Sequence, residues 1–110
     1  MKILLDENID VRFKNLFDAN VHAVFTIKDM DWLGIKNGVL LKLLEENSFD
    51  VFISVDKNLP YQQNEKNLPV LIIILNVKRN VLERISKLYP EILKLISRKE
   101  GRKIMVLIEF

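Results

Sequence analysis

The chain opens on a short apolar run, Ile3-Leu4-Leu5, that stops at Asp6-Glu7-Asn8, and the break repeats where Phe52-Ile53-Ser54-Val55 meets Asp56-Lys57-Asn58. Between and beyond these points the apolar period switches between two and about 3.6, the marks of strand and helix. Lys2–Leu5 reads as a strand, and Asp10–Ala19 as a helix with Phe13, Leu16 and Phe17 on one face. His22–Ile27 reads as a second strand, followed by a loop punctuated by Gly34 and Gly38. Asn37 is placed to cap a helix over Val39–Asn47, where Leu40, Leu43 and Leu44 recur at helical spacing. Phe49–Val55 is a third strand, and Asn58–Leu68 a polar loop broken by Pro60. Pro69–Leu75 holds the run Val70-Leu71-Ile72-Ile73-Ile74, which suits a strand buried on both faces. Val81–Arg98 is helical by pattern, with Pro90 expected to kink or divide it. Lys103–Phe110 closes as a fifth strand.

Strands alternating with helices predict an α/β fold with a mostly parallel five-stranded sheet covered on both faces. The length, 110 residues, suits a single domain spanning 1–110. Charged residues make up 29% of the chain, a globular balance rather than a disordered one. The absence of cysteine excludes disulfides, thiolate metal sites and cysteine nucleophiles, and the lone His22 excludes a His-rich zinc site. Apolar runs are too short for a signal peptide or a membrane span, so the expected location is cytoplasmic with no membrane partner.

Charge is uneven. Residues 1–76 carry 8 basic and 11 acidic side chains, and residues 77–110 carry 9 basic and 4 acidic. An acidic front and a basic tail suit a metal ion at one place and phosphates at another. The alternative is that Lys78, Arg79, Arg84, Lys87, Lys94, Arg98 and Lys99 form the solvated side of an amphipathic helix.

In parallel sheets, sites form beyond the carboxyl ends of strands where strand order reverses. Asp6 and Asp56 both stand at such ends. If their strands are central neighbours, two hard carboxylates share a crevice, which favours Mg²⁺ or Mn²⁺ over zinc. The competing reading is local: Asn8 caps a helix and Asp56 opens a turn. Asp29 and Asp31 follow the second strand and could reach the same crevice, although an Asp-x-Asp pair in a loop usually reflects turn chemistry. Glu45 and Glu46 fall late in their helix, away from the strand exits. The loop after Asp56 clusters amides (Asn58, Gln62, Gln63, Asn64) around Tyr61, groups suited to phosphate oxygens, base edges and base stacking, or to a plain polar loop.

MKILLDEN, then GIKNGVLL, then FDVFISVDKNLPYQQN together resemble the small PIN-like proteins, a minimal branch of the PIN nuclease superfamily related to VapC-type toxins. The resemblance runs from Met1 to about Ile96. It implies a three-layer α/β/α sandwich with strand order 3-2-1-4-5, and acidic residues holding Mg²⁺ or Mn²⁺ for RNA phosphodiester hydrolysis. It also implies a role as the toxin of a toxin–antitoxin pair, with RNA and a small cognate antitoxin as partners. Asp6 and Asp56 match two acidic positions of the family. Asn37 falls where a third acid is usual, and Val39 where a glutamate often follows. Asp6, Asp56 and Asn37 are thus the expected catalytic residues, with Asp6, Asp56 and Glu7 as metal ligands and Asp31 a further substitute. Asn58, Gln62, Gln63, Lys57 and Arg12 are expected to position RNA.

Two other readings stand beside this one. With an amide at position 37, the fold could serve as a catalytically weak or inactive module that binds RNA or a protein. A phosphoacceptor receiver-like domain also has acids after strand one and an Asp after strand three, but needs a hydroxyl residue after strand four, where this chain has Asn76, and a lysine after strand five. The apolar Val106-Leu107-Ile108 is either an edge strand that pairs two protomers as a homodimer or one capped within the domain.

Overall fold

The computed structural model of the chain describes residues 1–59, 68–98 and 103–109. Five strands form one sheet: β1 (Lys2–Leu5), β2 (Ala23–Thr26), β3 (Val51–Ser54), β4 (Leu71–Asn76) and β5 (Ile104–Ile108). Their order is β2-β1-β3-β4-β5 and every pairing is parallel. Parallel neighbours require crossovers. Among the described residues these run through a 3₁₀ turn at Val11–Leu16, helix α1 (Asn37–Glu46), and helices α2 (Leu82–Ser86) and α3 (Tyr89–Ser97).

The sheet buries apolar side chains on both faces, as the unbroken apolar run of β4 requires. On one face Ile3, Leu5, Ile53 and Ile73 pack against Phe13 of the 3₁₀ turn and Phe17 just after it, and against Ile85 of α2, Leu88 at the α2–α3 junction and Ile92 of α3. On the other, Leu4, Phe52, Ile72 and Ile74 pack against Leu40, Leu41 and Leu44 of α1. The molecule is therefore a three-layer α/β/α sandwich.

The strand order 2-1-3-4-5 differs from the 3-2-1-4-5 that the resemblance implies. Only β2 lies outside β1, because the crossover through α1 carries the chain back over β1 to its far side. The observed order places the reversal between β1 and β3, so the crevice lies between the exits of those two strands.

Helix boundaries also differ in places. The segment expected as a helix over Asp10–Ala19 is a 3₁₀ turn of six residues. Asp10 starts it by accepting the Arg12 N–H at 3.0 Å, and Asp18 ends it by turning the chain through its contact with the Asn20 N–H at 2.9 Å. Asn37 is the first residue of α1 rather than its cap; Lys36 occupies the capping position, without a side-chain cap. The long helical pattern divides at Lys87–Leu88, with Pro90 in the first turn of α3, where its missing N–H costs no helical bond.

The exit of α1 fixes where β3 begins. Ser48 adopts a left-handed conformation with φ of 59°. Its N–H donates to the Glu45 carbonyl at 3.1 Å, and the Phe49 N–H donates to the Leu44 carbonyl at 2.9 Å, the paired bonds of a Schellman cap. Glycine takes this conformation without a Cβ penalty. Ser48→Gly is expected to stabilise the fold by about 0.5–1 kcal/mol, read as a higher urea midpoint at unchanged m-value.

Candidate functional site at the exits of β1 and β3

The Asp6 N–H continues the β1–β3 ladder by donating to the Ile53 carbonyl at 2.9 Å. That bond fixes the Asp6 carboxyl beside the end of β3. Its Oδ2 accepts the Ser54 hydroxyl at 2.7 Å, and its Oδ1 accepts the Glu7 N–H at 2.8 Å. The same Ser54 oxygen accepts the Asp56 N–H at 3.0 Å. Asp56 in turn accepts the Asn58 N–H at 2.9 Å, so Asn58 serves it through its backbone. One hydroxyl thus links the two aspartates predicted to share the crevice.

Ser54 is the residue that sequence reasoning missed, having been absorbed into an apolar run. It is fully buried at 0% exposure, and with Thr26 it is one of two buried polar residues among those described. A lone hydroxyl inside an apolar strand requires a partner, and that requirement was the available signal. Thr26 obeys the same rule at the exit of β2: its N–H and hydroxyl bond reciprocally with Asp29 at 2.9 and 3.0 Å.

Burial is the main cause that raises the Asp6 carboxyl above its ordinary pKa. The hydrogen bonds from Ser54 and Glu7 oppose this, while the charges of Glu7 and Asp56 add to it. A buried carboxyl beside two other acids is disfavoured as an anion, and either a proton or a cation would relieve that. The donors around it are oxygen atoms, the set that suits a hard divalent ion. The carboxylate oxygens of Asp6, Asp56 and Glu7 are of the type such an ion takes. Among the described residues, however, no group of three or more acidic or histidine side chains is arranged to hold a metal. The protein contribution is therefore sparse.

Other expected residues are placed as follows. Arg12 is held by Asp10 through a two-pronged contact, with Nε at 3.0 Å from Oδ1 and Nη2 at 2.7 Å from Oδ2. That contact lowers Asp10 to about 2. Asp29 is occupied by Thr26 and by Lys14 at 3.3 Å, and its carboxyl is lowered chiefly by the Thr26 N–H. Asp31 sits exposed in a left-handed turn at φ 60°, consistent with turn chemistry. Lys57 is exposed immediately after Asp56. Gln62 and Gln63, like Tyr61 and Asn64, lie outside the described residues. Arg12, Lys14, Asn15 and Lys28 line an open groove of about 580 Å³ beside the exit of β2. A smaller cavity of about 230 Å³ lies at the opposite edge of the sheet, around Asp50, Leu71 and Lys103, remote from the aspartates. Sequence reasoning also missed Asn80, whose side-chain amide donates to the Asn8 carbonyl at 2.6 Å and ties the loop after β4 to the loop after β1.

Ser54→Ala would leave Asp6 Oδ2 and the Asp56 N–H without their shared partner. The expected cost is about 1–3 kcal/mol, measured by urea unfolding at neutral pH with chelator present. The pH dependence of Asp6 has a definite sign. Its folded pKa lies above its unfolded one, so between the two the folded chain keeps a proton that the unfolded chain has released. Stability attributable to this group falls as pH rises through that window. In chelator, Asp6→Asn is therefore expected to gain stability over wild type as pH rises from acid to neutral. A difference in thermal midpoint that shrinks over that range would contradict this.

No protein-family model, curated protein or solved structure matches the chain.

Proposed function

We propose that the protein is a PIN-like, metal-dependent endoribonuclease of toxin type. The observation that carries this reading is the pairing of Asp6 and Asp56 through Ser54 at the exits of adjacent parallel strands. Asp6, Asp56 and Glu7 would hold Mg²⁺ or Mn²⁺, which when bound lowers the pKa of water and offsets charge on phosphoryl oxygens. Ser54 would keep the two aspartates in place. Asn37, at the first turn of α1, would assist as a neutral oxygen donor. The groove lined by Arg12, Lys14 and Lys28 offers cations to an RNA backbone, and Lys57 adds one beside Asp56. A small cognate antitoxin would cover this edge, with the protein acting in the cytoplasm. No described helix is long and apolar enough to cross a membrane.

A second reading draws on the sparse donor set. With no cluster of three acids among the described residues, the same edge would serve as an RNA- or protein-binding surface with weak or absent catalysis. The receiver-like reading gains from the strand order 2-1-3-4-5, which flavodoxin-like sheets share. It loses at the residues: β4 ends at Asn76 rather than at a hydroxyl, and Glu109 follows β5.

The test is cleavage of single-stranded RNA with Mg²⁺ or Mn²⁺ by wild type, Asp6→Asn and Asp56→Asn. The expected outcome is cleavage abolished by chelator and reduced at least about 100-fold in either variant, equivalent to ~2.7 kcal/mol of barrier. Equal cleavage by all three proteins would sink the nuclease reading. RNA binding without cleavage in wild type would favour the second.

A further inference from the structure

We propose that the channel between the 3₁₀ turn and β2 is a track for single-stranded RNA, with Lys28 holding a phosphate at the end beside Asp6 and His22 stacking an unpaired base at the far end. The inference rests on the nuclease reading only for the choice of RNA as substrate class. The groove at the exit of β2 continues into a second cavity of about 300 Å³, and Lys14 and Asn15 line both. Side chains two residues apart along a strand stand on one face. Thr26 lines the first cavity, and Val24 and His22 line the second, so alternate residues of β2 and of the position just before it form one continuous floor. Strand rise sets the length of that floor, from Thr26 to His22, at about 13 Å. Thr26 is in register with Leu5, so the groove opens beside the strand end that carries Asp6.

The two ends differ in chemistry as the backbone and bases of a nucleotide chain do. At the Asp6 end the lining cations are Arg12, Lys14 and Lys28. Arg12 is committed to Asp10 by its two-pronged contact, and Lys14 meets Asp29 at 3.3 Å. Lys28 is exposed, and among the described residues no acid pairs with it. Its ammonium can take a phosphate oxygen without breaking an ion pair. At the far end Phe17, Ala19 and Val24 form the walls around a half-buried His22. The imidazole packs perpendicular to Phe17, with ring centroids 6.1 Å apart, and its Nδ1 has no hydrogen-bond partner among the described residues. No polar contact through that nitrogen accounts for a histidine there, whereas an imidazole face is a stacking surface for an unpaired base. A peptide fits less well, because the outer edge of β2 is occupied at both ends by its own turns. The His22 N–H donates to the Asp18 carbonyl at 2.9 Å, the Thr26 N–H to the Asp29 carboxylate at 2.9 Å, and the Thr26 carbonyl accepts the Met30 N–H at 3.3 Å. An extended peptide therefore finds no run of unpaired backbone groups to join. Bases stacked within a duplex present no open face to His22.

The test is fluorescence anisotropy of a short labelled single-stranded RNA in chelator, so that neither metal nor cleavage is needed. Lys28→Ala is expected to reduce the slope of log affinity against log salt by about 0.7, the value for one phosphate on a single strand. Lys42→Ala, on the exposed side of α1 across the sheet, is expected to leave the slope unchanged. His22→Ala is expected to weaken binding at least about fivefold at an unchanged slope, and His22→Phe to restore it. Duplex RNA of the same sequence is expected to bind more weakly than the single strand. Because Lys28 is exposed, its replacement leaves the core intact and the slope readable even if His22→Ala loses its fold. No binding by wild type at low salt would overturn the proposal. So would equal slopes for Lys28→Ala and Lys42→Ala, a folded His22→Ala that binds as tightly as wild type, or a duplex that binds as tightly as the single strand. Cleavage lost in Asp6→Asn while binding ignores Lys28 and His22 would overturn this inference alone. Binding that follows both residues without any cleavage would overturn the nuclease reading alone.

Discussion

Burying the Asp6 carboxyl against the Ser54 hydroxyl is the constraint around which this edge of the sheet is arranged. The main-chain bond from Asp6 to Ile53 holds the carboxyl at the junction of β1 and β3, and the 2.7 Å contact with Ser54 gives it a partner there. Because Ser54 also accepts the Asp56 N–H, the position of one aspartate constrains the loop that carries the other. A fully buried hydroxyl using both its donor and acceptor functions leaves little freedom for either. Rigid sheet geometry is thus transferred to two side chains at its rim.

The arrangement has an electrostatic cost. Burial and the charges of Glu7 and Asp56 act against ionisation of Asp6, and the hydrogen bonds from Ser54 and Glu7 offset only part of this. Unfavourable charge placement of this kind is a recurrent feature of functional sites, where stability is given up for chemistry. A divalent cation would convert the repulsion into attraction. The same reasoning does not apply to Asp10 or Asp29, whose carboxyls are lowered by Arg12 and by Thr26 and Lys14. These aspartates are already satisfied, and they shape the turns on either side of the basic groove.

Much of the fold was legible because period and punctuation agree. The apolar run of β4, the Leu40/Leu44 spacing of α1 and the break near Pro90 each appear where the pattern places them. The segment after Asp10 was misread as a helix because Phe13 and Phe17 fit a helical face, while the local competition of Asp10 and Asp18 for nearby N–H groups shortened it to a 3₁₀ turn. The strand order was not legible from local pattern, since it depends on which side of β1 the crossover through α1 lands. At the site, Asp6 and Asp56 were visible as strand-end acids. Ser54 was hidden by its apolar neighbours, and its pairing spans 48 residues of sequence.

The proposed cation site turns on Asp6, whose pKa burial raises and whose neighbours Glu7 and Asp56 add to that rise. Carboxyl-carbon NMR titration of Asp6, with and without Mg²⁺, tests it most directly. The expected result is a midpoint above that of an ordinary aspartate in chelator, falling when Mg²⁺ is added. An ordinary midpoint in chelator, or an elevated one that Mg²⁺ leaves unmoved, would contradict the account.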